Sequence, residues 1–220
     1  MNMKRRDFAA SLVGAGLGTA ALTLPAAALA QGGPVEGTHY VRLSQPVPTV
    51  AEAGKIEVIE FFWYGCPHCN AFEPTLEAWV KKLPADVTFR RVPVAFREEP
   101  FVAHQRIFYA LEAMGQVEAM HRKVFYAIHN DRAQLSKPAE ISAFMAKNGV
   151  DGAKFLDTYN SFGVQTKVRQ AKQLAEAYKI DGVPALGIQG RYFTSGALAG
   201  NTDKALEVTN FLLQRARKGG

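Results

Sequence analysis

The sequence predicts an α/β fold: a β-sheet covered by helices, with an all-helical block inserted into it. Residues 56–63 are β-branched and aromatic, a helical stripe follows them, and residues 87–92 form a second strand-like run. Together they predict a parallel strand–helix–strand unit. Apolar residues then recur at helical spacing, with no strand-like run, from residue 97 to residue 179. Two short runs around a glycine-containing turn, within residues 185–194, predict a β-hairpin after the helical block.

The composition is that of a globular chain that can bury a core. Of 220 residues, 48% are hydrophobic and 21% are charged, which argues against disorder, a collagen-like chain and a multi-span membrane protein. The net charge is +6, and no run of Lys and Arg interleaves with aromatic residues, so we expect no nucleic-acid binding. The chain has two cysteines, Cys66 and Cys69, too few for a disulfide-stapled mini-fold or a four-cysteine zinc site.

Residues 1–30 have the three-part pattern of a secretory signal peptide. A basic start, Lys4-Arg5-Arg6, precedes an uncharged stretch, residues 8–30, that ends in Ala28-Leu29-Ala30. We therefore expect cleavage after Ala30 and a mature chain that begins at Gln31. The alternative is an uncleaved membrane anchor, because the uncharged stretch is long enough to cross a bilayer.

The arginine pair in this segment also resembles the start of a twin-arginine signal. The export route, Sec or twin-arginine, stays open. Either route delivers the mature chain to an oxidising compartment, the periplasm.

The first half of the mature chain contains the strand–helix–strand unit. Residues 31–54 are rich in Gly, Pro and small residues, and we expect an extended arm with a short strand at residues 40–43. The first core strand has the composition of a central strand buried on both faces. Pro67 suits the first turn of the helix that follows, and Pro74 lies inside that helix, where we expect a kink. The second strand, residues 87–92, should end the unit.

The second half contains the helical block and the hairpin. Apolar positions repeat at helical spacing in residues 107–114, 117–128, 155–159 and 168–178. Another helix is expected to start near Pro138 and to stop at Gly149. After the hairpin, Thr202 or Asp203 can begin a last helix.

The motif Cys66-Pro67-His68-Cys69, between a predicted strand and a predicted helix, carries the chemistry. Cysteines three residues apart at a helix N-terminus are within disulfide reach. Free backbone N–H groups and the positive end of the helix dipole stabilise a thiolate there, so Cys66 should be the attacking sulfur. Cys69, one turn further in, should be the resolving thiol. His68 adds a favourable positive charge if it is protonated when Cys66 ionises.

Three other readings of this motif compete with the redox reading. A zinc site needs two more ligands, and none comes as a nearby pair. A c-type haem site needs His directly after the second cysteine, where the chain has Asn70. A purely structural disulfide has no need of the helix N-terminus.

The chain resembles the DsbA-type periplasmic thiol:disulfide oxidoreductases over essentially its whole mature length. The resemblance rests on Glu60-Phe61-Phe62, on the Cys66–Cys69 motif, on Gly182-Val183-Pro184-Ala185 far downstream, and on the helical block between them. It implies a thioredoxin fold with an inserted all-helical domain. The thioredoxin-like domain would then comprise residues 31–97 and 165–220, and the helical insertion residues 98–164.

The resemblance also implies roles for residues outside the motif. Pro184 would hold a cis bond beside the active site; without the resemblance, the expectation is an ordinary trans bond, the usual state. Val183 would offer backbone groups to an extended substrate chain. Glu60 would be a buried acid with a raised pKa that carries protons for Cys69, the alternative being a solvent-facing position. Family members often carry a buried Lys near that acid; this chain has Arg91 there, and whether it pairs with Glu60 stays open.

The other side chains that could carry chemistry show no pattern of ligands. Four histidines lack ligand spacing and are expected on the surface or on helix faces: His39, His104, His121 and His129. The aromatic run Phe61-Phe62-Trp63-Tyr64 could frame an apolar substrate surface, although much of it must be strand core.

These features together indicate an exported dithiol oxidase that donates its Cys66–Cys69 disulfide to newly exported or unfolded cysteine-containing proteins, through a mixed disulfide on Cys66. The resemblance implies reoxidation by a DsbB-like, quinone-linked membrane oxidase. No metal or organic cofactor is implied, and we expect a monomer.

Three alternatives to the oxidase remain. One is a disulfide isomerase or reductase; isomerases of this type usually add an N-terminal dimerisation domain, for which residues 31–55 are too short. A peptide-binding chaperone would not need two cysteines at a helix N-terminus. An isomerase or transferase of related fold, acting on glutathione-like substrates, has no need of paired cysteines or of secretion.

Overall fold

The computed structural model describes residues 32–219. The predicted signal peptide, its cleavage site and the arginine pair lie outside the described residues. The strands are β1 (Val41–Arg42), β2 (Ile56–Phe62), β3 (Val87–Pro93), β4 (Ala185–Ile188) and β5 (Tyr192–Ser195). The helices are α1 (Pro67–Val80), α2 (Phe101–Ala113), α3 (Val117–His129), α4 (Pro138–Lys147), α5 (Gly152–Tyr159), α6 (Phe162–Ala177), α7 (Gly196–Ala199) and α8 (Thr202–Arg217).

The strands form one mixed sheet in the order β1-β5-β4-β2-β3. Strands β2 and β3 are parallel, and the other neighbouring pairs are antiparallel. All seven residues of β2 are buried, as its β-branched and aromatic composition predicts for a central strand. In the parallel register Glu60 of β2 lies beside Arg91 of β3, so the pairing of the two strands brings these side chains together.

Apolar side chains cover both faces of the sheet. One cluster joins the sheet to the helical block and includes Phe61, Phe62 and Phe125. The other joins the opposite face to α1 and α8 and includes Leu76 and Leu212. Both cysteines belong to the first cluster, so the dithiol lies where the helical block meets the sheet.

The turn between β4 and β5 depends on a glycine. Gln189 and Gly190 both have positive φ, at 52° and 63°, the conformation that tight hairpin turns require. A Cβ at position 190 would also overlap the carbonyl oxygen of Val47. The glycine-containing hairpin predicted from the sequence therefore has a steric as well as a conformational cause.

The predicted fold is confirmed in its main features. The strand–helix–strand unit, the strand-free helical block, the hairpin and a last helix beginning at Thr202 are all present. The short α7 was not predicted, and neither was a cis peptide bond between Glu99 and Pro100. Helix α1 continues through Pro74. Within residues 32–219, no helix combines the length and the apolar character that crossing a membrane requires.

Candidate active site

The two cysteines occupy unequal positions at the start of α1. Cys66 is the N-cap residue, with extended backbone angles, and Pro67 follows as the first helical residue. The backbone N–H of Cys69 points to the Sγ of Cys66 at 3.5 Å, as expected of an N-cap side chain. Both cysteines are unpaired thiols. Cys66 keeps 7% of its accessible surface, whereas Cys69 has none, so only Cys66 can meet another molecule.

The pKa values of the two thiols shift in opposite directions. The hydrogen bond between the two cysteine side chains is the largest cause that lowers the pKa of Cys66, and burial acts against it. The backbone amides of Cys69 and His68 and the charge of His68 lower the pKa further, to about 6. Burial raises the pKa of Cys69 well above its usual range, and the bond to Cys66 adds to the rise. Near neutral pH, Cys66 is therefore the thiolate and Cys69 the thiol.

A segment distant in sequence completes the surroundings of Cys66. The Val183–Pro184 peptide bond is cis, as the resemblance implied, and the Sγ of Cys66 donates a hydrogen bond of 3.4 Å to the carbonyl oxygen of Val183. A cleft of about 490 Å³ runs beside this segment, lined by His68, Phe193 and the glycines of the neighbouring loops. The structure thus brings Cys66, His68, Val183 and Pro184 to one surface.

Glu60 is fully buried on β2 and pairs with Arg91, a contact that the sequence left open. Arg91 Nε lies 3.0 Å from Glu60 Oε2, and Arg91 Nη2 lies 2.9 Å from Glu73 Oε2. Burial raises the pKa of Glu60 well above its usual range, and the charge of Glu73 adds to the rise, while Arg91 opposes it. Both cysteines interact electrostatically with Glu60.

Two of the histidines expected on the surface or on helix faces, His104 and His121, lie on buried faces of α2 and α3. His104 and His121 keep 2% and 3% of their accessible surface. His121 Nε2 lies 3.2 Å from Glu73 Oε1, and its Nδ1 lies 2.9 Å from the Tyr64 hydroxyl. His121 lies inside the protein because its ring packs with Phe62 and Phe125. Its Nδ1 has the Tyr64 hydroxyl as hydrogen-bond partner, whereas Nε2 has only the ion-pair contact with Glu73.

Sequence reasoning did not single out Glu73 or His121. A signal for His121 existed: it is three and four residues before Val124 and Phe125, which lie on the apolar stripe of α3. Glu73 follows buried Phe72 directly and carried no comparable signal. Their contact joins residues of α1 and α3, and no local pattern encodes such a pairing.

The aromatic run before the motif belongs to the core rather than to a substrate surface. Phe61, Phe62 and Tyr64 are fully buried. Trp63 is partly exposed and stacks on Phe101, with ring centroids 3.9 Å apart. Among residues 32–219, no cluster of three or more His, Cys, Asp or Glu side chains is arranged to hold a metal ion.

Known proteins resemble this chain along most of its length. The family model described as DSBA-like thioredoxin domain matches residues 57–205. The thiol:disulfide interchange protein DsbA of Burkholderia cepacia is 46% identical over 195 residues, which cover 87% of this chain and 92% of that protein. The protein of the same name from Bordetella pertussis is 43% identical over 219 residues, covering 98% of this chain and 100% of that protein.

Solved structures show the same resemblance. The crystal structure of Pseudomonas aeruginosa DsbA superposes with a TM-score of 0.81 at 44% identity, covering 84% of this chain and 96% of that one. The crystal structure of reduced DsbA1 from Neisseria meningitidis gives a TM-score of 0.73 at 29% identity, covering 85% of this chain and 97% of that one.

Proposed function

Since this chain belongs to the family of DsbA-like thioredoxin-domain proteins and is a thiol:disulfide oxidoreductase, we propose that Cys66 is the sulfur through which it exchanges disulfides with proteins. The observation that carries this assignment is the inequality of the two thiols. Cys66 alone keeps accessible surface, and its pKa is lowered to about 6 while burial raises that of Cys69.

The exchange proceeds in two steps. A thiolate of a cysteine-containing protein attacks the Sγ of Cys66 in the oxidised enzyme, a mixed disulfide forms, and Cys69 leaves as a thiolate. A second thiolate of the same substrate then attacks the substrate sulfur of that mixed disulfide, and Cys66 leaves as a thiolate. Two electrons pass from the substrate dithiol to the enzyme, which ends as the dithiol while the substrate gains a disulfide.

Glu60 supplies the proton that the departing Cys69 requires. Its carboxyl is fully buried, interacts with both cysteines, and has a pKa that burial raises well above its usual range. A carboxyl that stays protonated near neutral pH can act as a general acid for a buried thiolate. The reverse transfer, from Cys69 to Glu60, accompanies reoxidation of the enzyme.

Val183 and Pro184 bind the substrate chain beside Cys66. The Val183 carbonyl oxygen is 3.4 Å from the attacking sulfur, and the adjoining cleft is lined mainly by small and apolar residues. An extended peptide can pair with the backbone there while its cysteine reaches Cys66, as in strand addition. Such backbone pairing does not depend on the side chains of the substrate, which suits an enzyme with many protein substrates.

A matched pair of cysteine variants tests these roles. Oxidised wild-type protein is mixed with a reduced, unfolded protein containing two cysteines, and Cys66→Ser and Cys69→Ser are each mixed with the same protein carrying its disulfide. We expect one substrate disulfide per enzyme disulfide, a mixed disulfide that accumulates on the Cys69→Ser variant, and none on the Cys66→Ser variant. Accumulation on the Cys66→Ser variant instead would reverse the assignment.

Membership of the family supports a proposal for the compartment and for the oxidising partner. We propose that the chain acts in the periplasm after removal of residues 1–30, and that a DsbB-like, quinone-linked membrane oxidase reoxidises the dithiol. N-terminal analysis of the periplasmic protein should give Gln31 as the first residue. Membranes containing such an oxidase should reoxidise the reduced protein with quinone as acceptor, whereas membranes lacking it should not.

The division into a thioredoxin-like domain, residues 31–97 and 165–220, and a helical insertion, residues 98–164, is part of the same proposal. Helix α6 begins at Phe162 and therefore runs across the second boundary. Limited proteolysis tests the division: cuts confined to the loops near residues 97 and 161 support it.

A further inference from the structure

A chain of buried polar contacts connects the helical block to the carboxyl near the dithiol. The Tyr64 hydroxyl lies 2.9 Å from His121 Nδ1, and His121 Nε2 lies 3.2 Å from Glu73 Oε1. The other carboxylate oxygen of Glu73 lies 2.9 Å from Arg91 Nη2, and Arg91 Nε lies 3.0 Å from Glu60 Oε2. The chain thus starts two residues before Cys66 and ends at the acid proposed to serve Cys69.

The chemistry of the partners fixes the direction of each bond. Arg91 has only donors, so both carboxyl oxygens that it contacts are acceptors. The tyrosine hydroxyl keeps its proton, because burial raises the pKa of Tyr64 well above its usual range. Burial also lowers the pKa of His121, against the effect of Glu73, so its ring is neutral and carries one proton. The consistent arrangement has Tyr64 donating to Nδ1 and the ring proton on Nε2, the nitrogen nearer to Glu73.

One guanidinium cannot neutralise two buried carboxylates. If Glu60 and Glu73 were both ionised beside Arg91, one negative charge would stay uncompensated in the interior, at a large desolvation cost. One of the two carboxyls therefore holds a proton. Which of them holds it depends on how many donors each one meets.

The groups around the two carboxyls are distributed unequally. Arg91 lies against one oxygen of Glu73, and His121 Nε2 lies 3.2 Å from the other, a contact at ion-pair distance without hydrogen-bond geometry. Glu60 has Arg91 on Oε2, and its Oε1 is buried without a hydrogen-bond partner. The remaining ionisable groups that act on the pair are Cys66, Cys69 and Tyr64, with Glu77 acting on His121. Burial acts to raise the pKa of Glu73, but His121 and Arg91 more than offset it.

We propose that His121 is a positioning residue for disulfide exchange: with Nε2 held 3.2 Å from Glu73 Oε1 it keeps that carboxylate ionised on Arg91, and it thereby leaves the shared proton on Glu60, beside the dithiol. The inference deepens the proposed function, since it rests on Glu60 as the proton donor to Cys69. It gives the inserted helix α3, which carries His121, a part in the chemistry of the cysteines.

Loss of the His121 donor should move the proton from Glu60 toward Glu73. Arg91 would then pair with an ionised Glu60, which cannot protonate the departing Cys69 and repels its thiolate. The rate of exchange, corrected for ionisation of the attacking thiol, falls as pH rises through the pKa of Glu60. In a variant without the histidine this fall should occur at lower pH. At pH values above the pKa of Glu60, each unit by which that pKa is lowered reduces the protonated fraction of Glu60 about tenfold.

The test uses the full-length mature protein in its oxidised form and reduced glutathione as the attacking thiol. Stopped-flow rates of mixed-disulfide formation are measured from pH 4 to pH 9 for wild type, His121→Leu and His121→Gln. The Gln side-chain amide retains a donor close to the position of Nε2. We expect the profile of His121→Leu to move to lower pH by about one unit, and that of His121→Gln to stay close to wild type.

A second buried histidine provides the matched control. His104 of α2 contacts the carbonyl oxygen of Gln134 through Nε2 and neither carboxylate, so His104→Leu should lose stability without moving the pH profile. If His121→Leu does not fold, the Glu73→Gln variant is measured instead. It removes the competing carboxylate, so that Arg91 pairs only with Glu60, and it should also move the pH profile to lower pH. A wild-type pH profile in the folded His121→Leu variant overturns the inference. If His121→Leu does not fold, a wild-type pH profile in Glu73→Gln overturns it. A pH profile of His104→Leu displaced as far as that of His121→Leu also overturns it.

Glu60→Gln separates failure of this inference from failure of the proposed function. If Glu60 donates the proton, this variant loses the fall in rate altogether. A wild-type profile in Glu60→Gln rejects Glu60 as the donor, whatever the His121 variants show. A flat profile in Glu60→Gln together with a wild-type profile in His121→Leu rejects only the role of His121.

Discussion

The Sγ of Cys66 lies 3.4 Å from the carbonyl oxygen of Val183, a residue 117 positions further along the chain. The same sulfur accepts from the backbone N–H of Cys69 at 3.5 Å. The protonated thiol can donate to the carbonyl and accept from the amide, whereas the thiolate can only accept. Ionisation therefore keeps the amide contact, removes the bond to Val183 and leaves the Val183 carbonyl free for a substrate chain.

Alkylation should distinguish the two thiols by pH. The pKa of Cys66 is lowered to about 6 while burial raises that of Cys69, so iodoacetamide should label Cys66 of the reduced protein with half its maximal rate near pH 6. Peptide mapping identifies the labelled residue, and Cys66→Ser serves as the control that should stay unlabelled at this pH. Predominant label on Cys69 would contradict the assignment.

The reduced protein should gain stability relative to the oxidised protein as pH rises from 5 to 8. Folding lowers the pKa of Cys66 to about 6, so its stabilising contribution is fully present above the unfolded pKa, roughly 8.5, and is lost as pH falls through about 6. Over this range the gain should be on the order of 2 kcal/mol. Above it, the raised pKa of Cys69 acts in the opposite direction.

Urea unfolding of both redox forms at several pH values measures this gain. The disulfide spans only two intervening residues, so its effect on the unfolded chain is small and varies little with pH. The Cys66→Ser variant should lack the pH-dependent gain. A difference between the redox forms that is constant from pH 5 to pH 8 would count against a thiolate stabilised by the helix N-terminus.

Arg91 should matter more to stability than its neighbour Arg90. Arg91→Met leaves Glu60 and Glu73 buried without a cation, which should lower the free energy of unfolding by about 3–5 kcal/mol at pH 7. Arg90→Met is the matched control, expected to cost about 1–2 kcal/mol. Arg90 is partly exposed, and in the variant the Glu57 carboxylate still accepts a hydrogen bond from the backbone N–H of Val50. An equal loss in the free energy of unfolding for Arg91→Met and Arg90→Met, measured by urea unfolding, would show that Arg91 does not neutralise the buried carboxyls.

Gly65→Ala should displace Trp63. A Cβ at position 65 would overlap the Trp63 indole, so the ring must leave its stack on Phe101. In a Trp79→Phe background we expect a red-shifted Trp63 emission and a loss of about 1–3 kcal/mol.

The control for this substitution is Gly163→Ala, where an added Cβ meets only the side chain of Ser161 at 3.8 Å. It should leave both the emission and the stability nearly unchanged. Unchanged Trp63 emission in Gly65→Ala would mean that the backbone there yields instead of the ring.

Local patterns predicted the elements well because each pattern has a local cause. The composition of β2, the proline at the start of α1 and the glycine of the hairpin turn each act within a few residues. The dithiol was predictable for the same reason, since its chemistry depends on spacing and on a helix terminus. The cis bond at Pro184 was expected only through the family resemblance.

The buried polar chain could not be predicted, because its contacts join different elements. Glu73, Arg91 and His121 come from α1, β3 and α3. Arg91 was considered only through the family resemblance, the apolar stripe indicated burial of His121 but no partner for it, and Glu73 carried no signal. Only packing of the helical block against the sheet brings them within hydrogen-bond distance.

Strand β3 is the last strand of the sheet, and an open strand edge is a template for pairing with foreign chains. An enzyme that handles unfolded proteins meets such chains continually. The partly exposed Arg90 lies on this edge strand, and the opposite edge, β1, is only two residues long. A charged side chain on one edge and a very short strand on the other both disfavour pairing with unfolded clients, so a neutral replacement of Arg90 should reduce solubility in the presence of unfolded substrate.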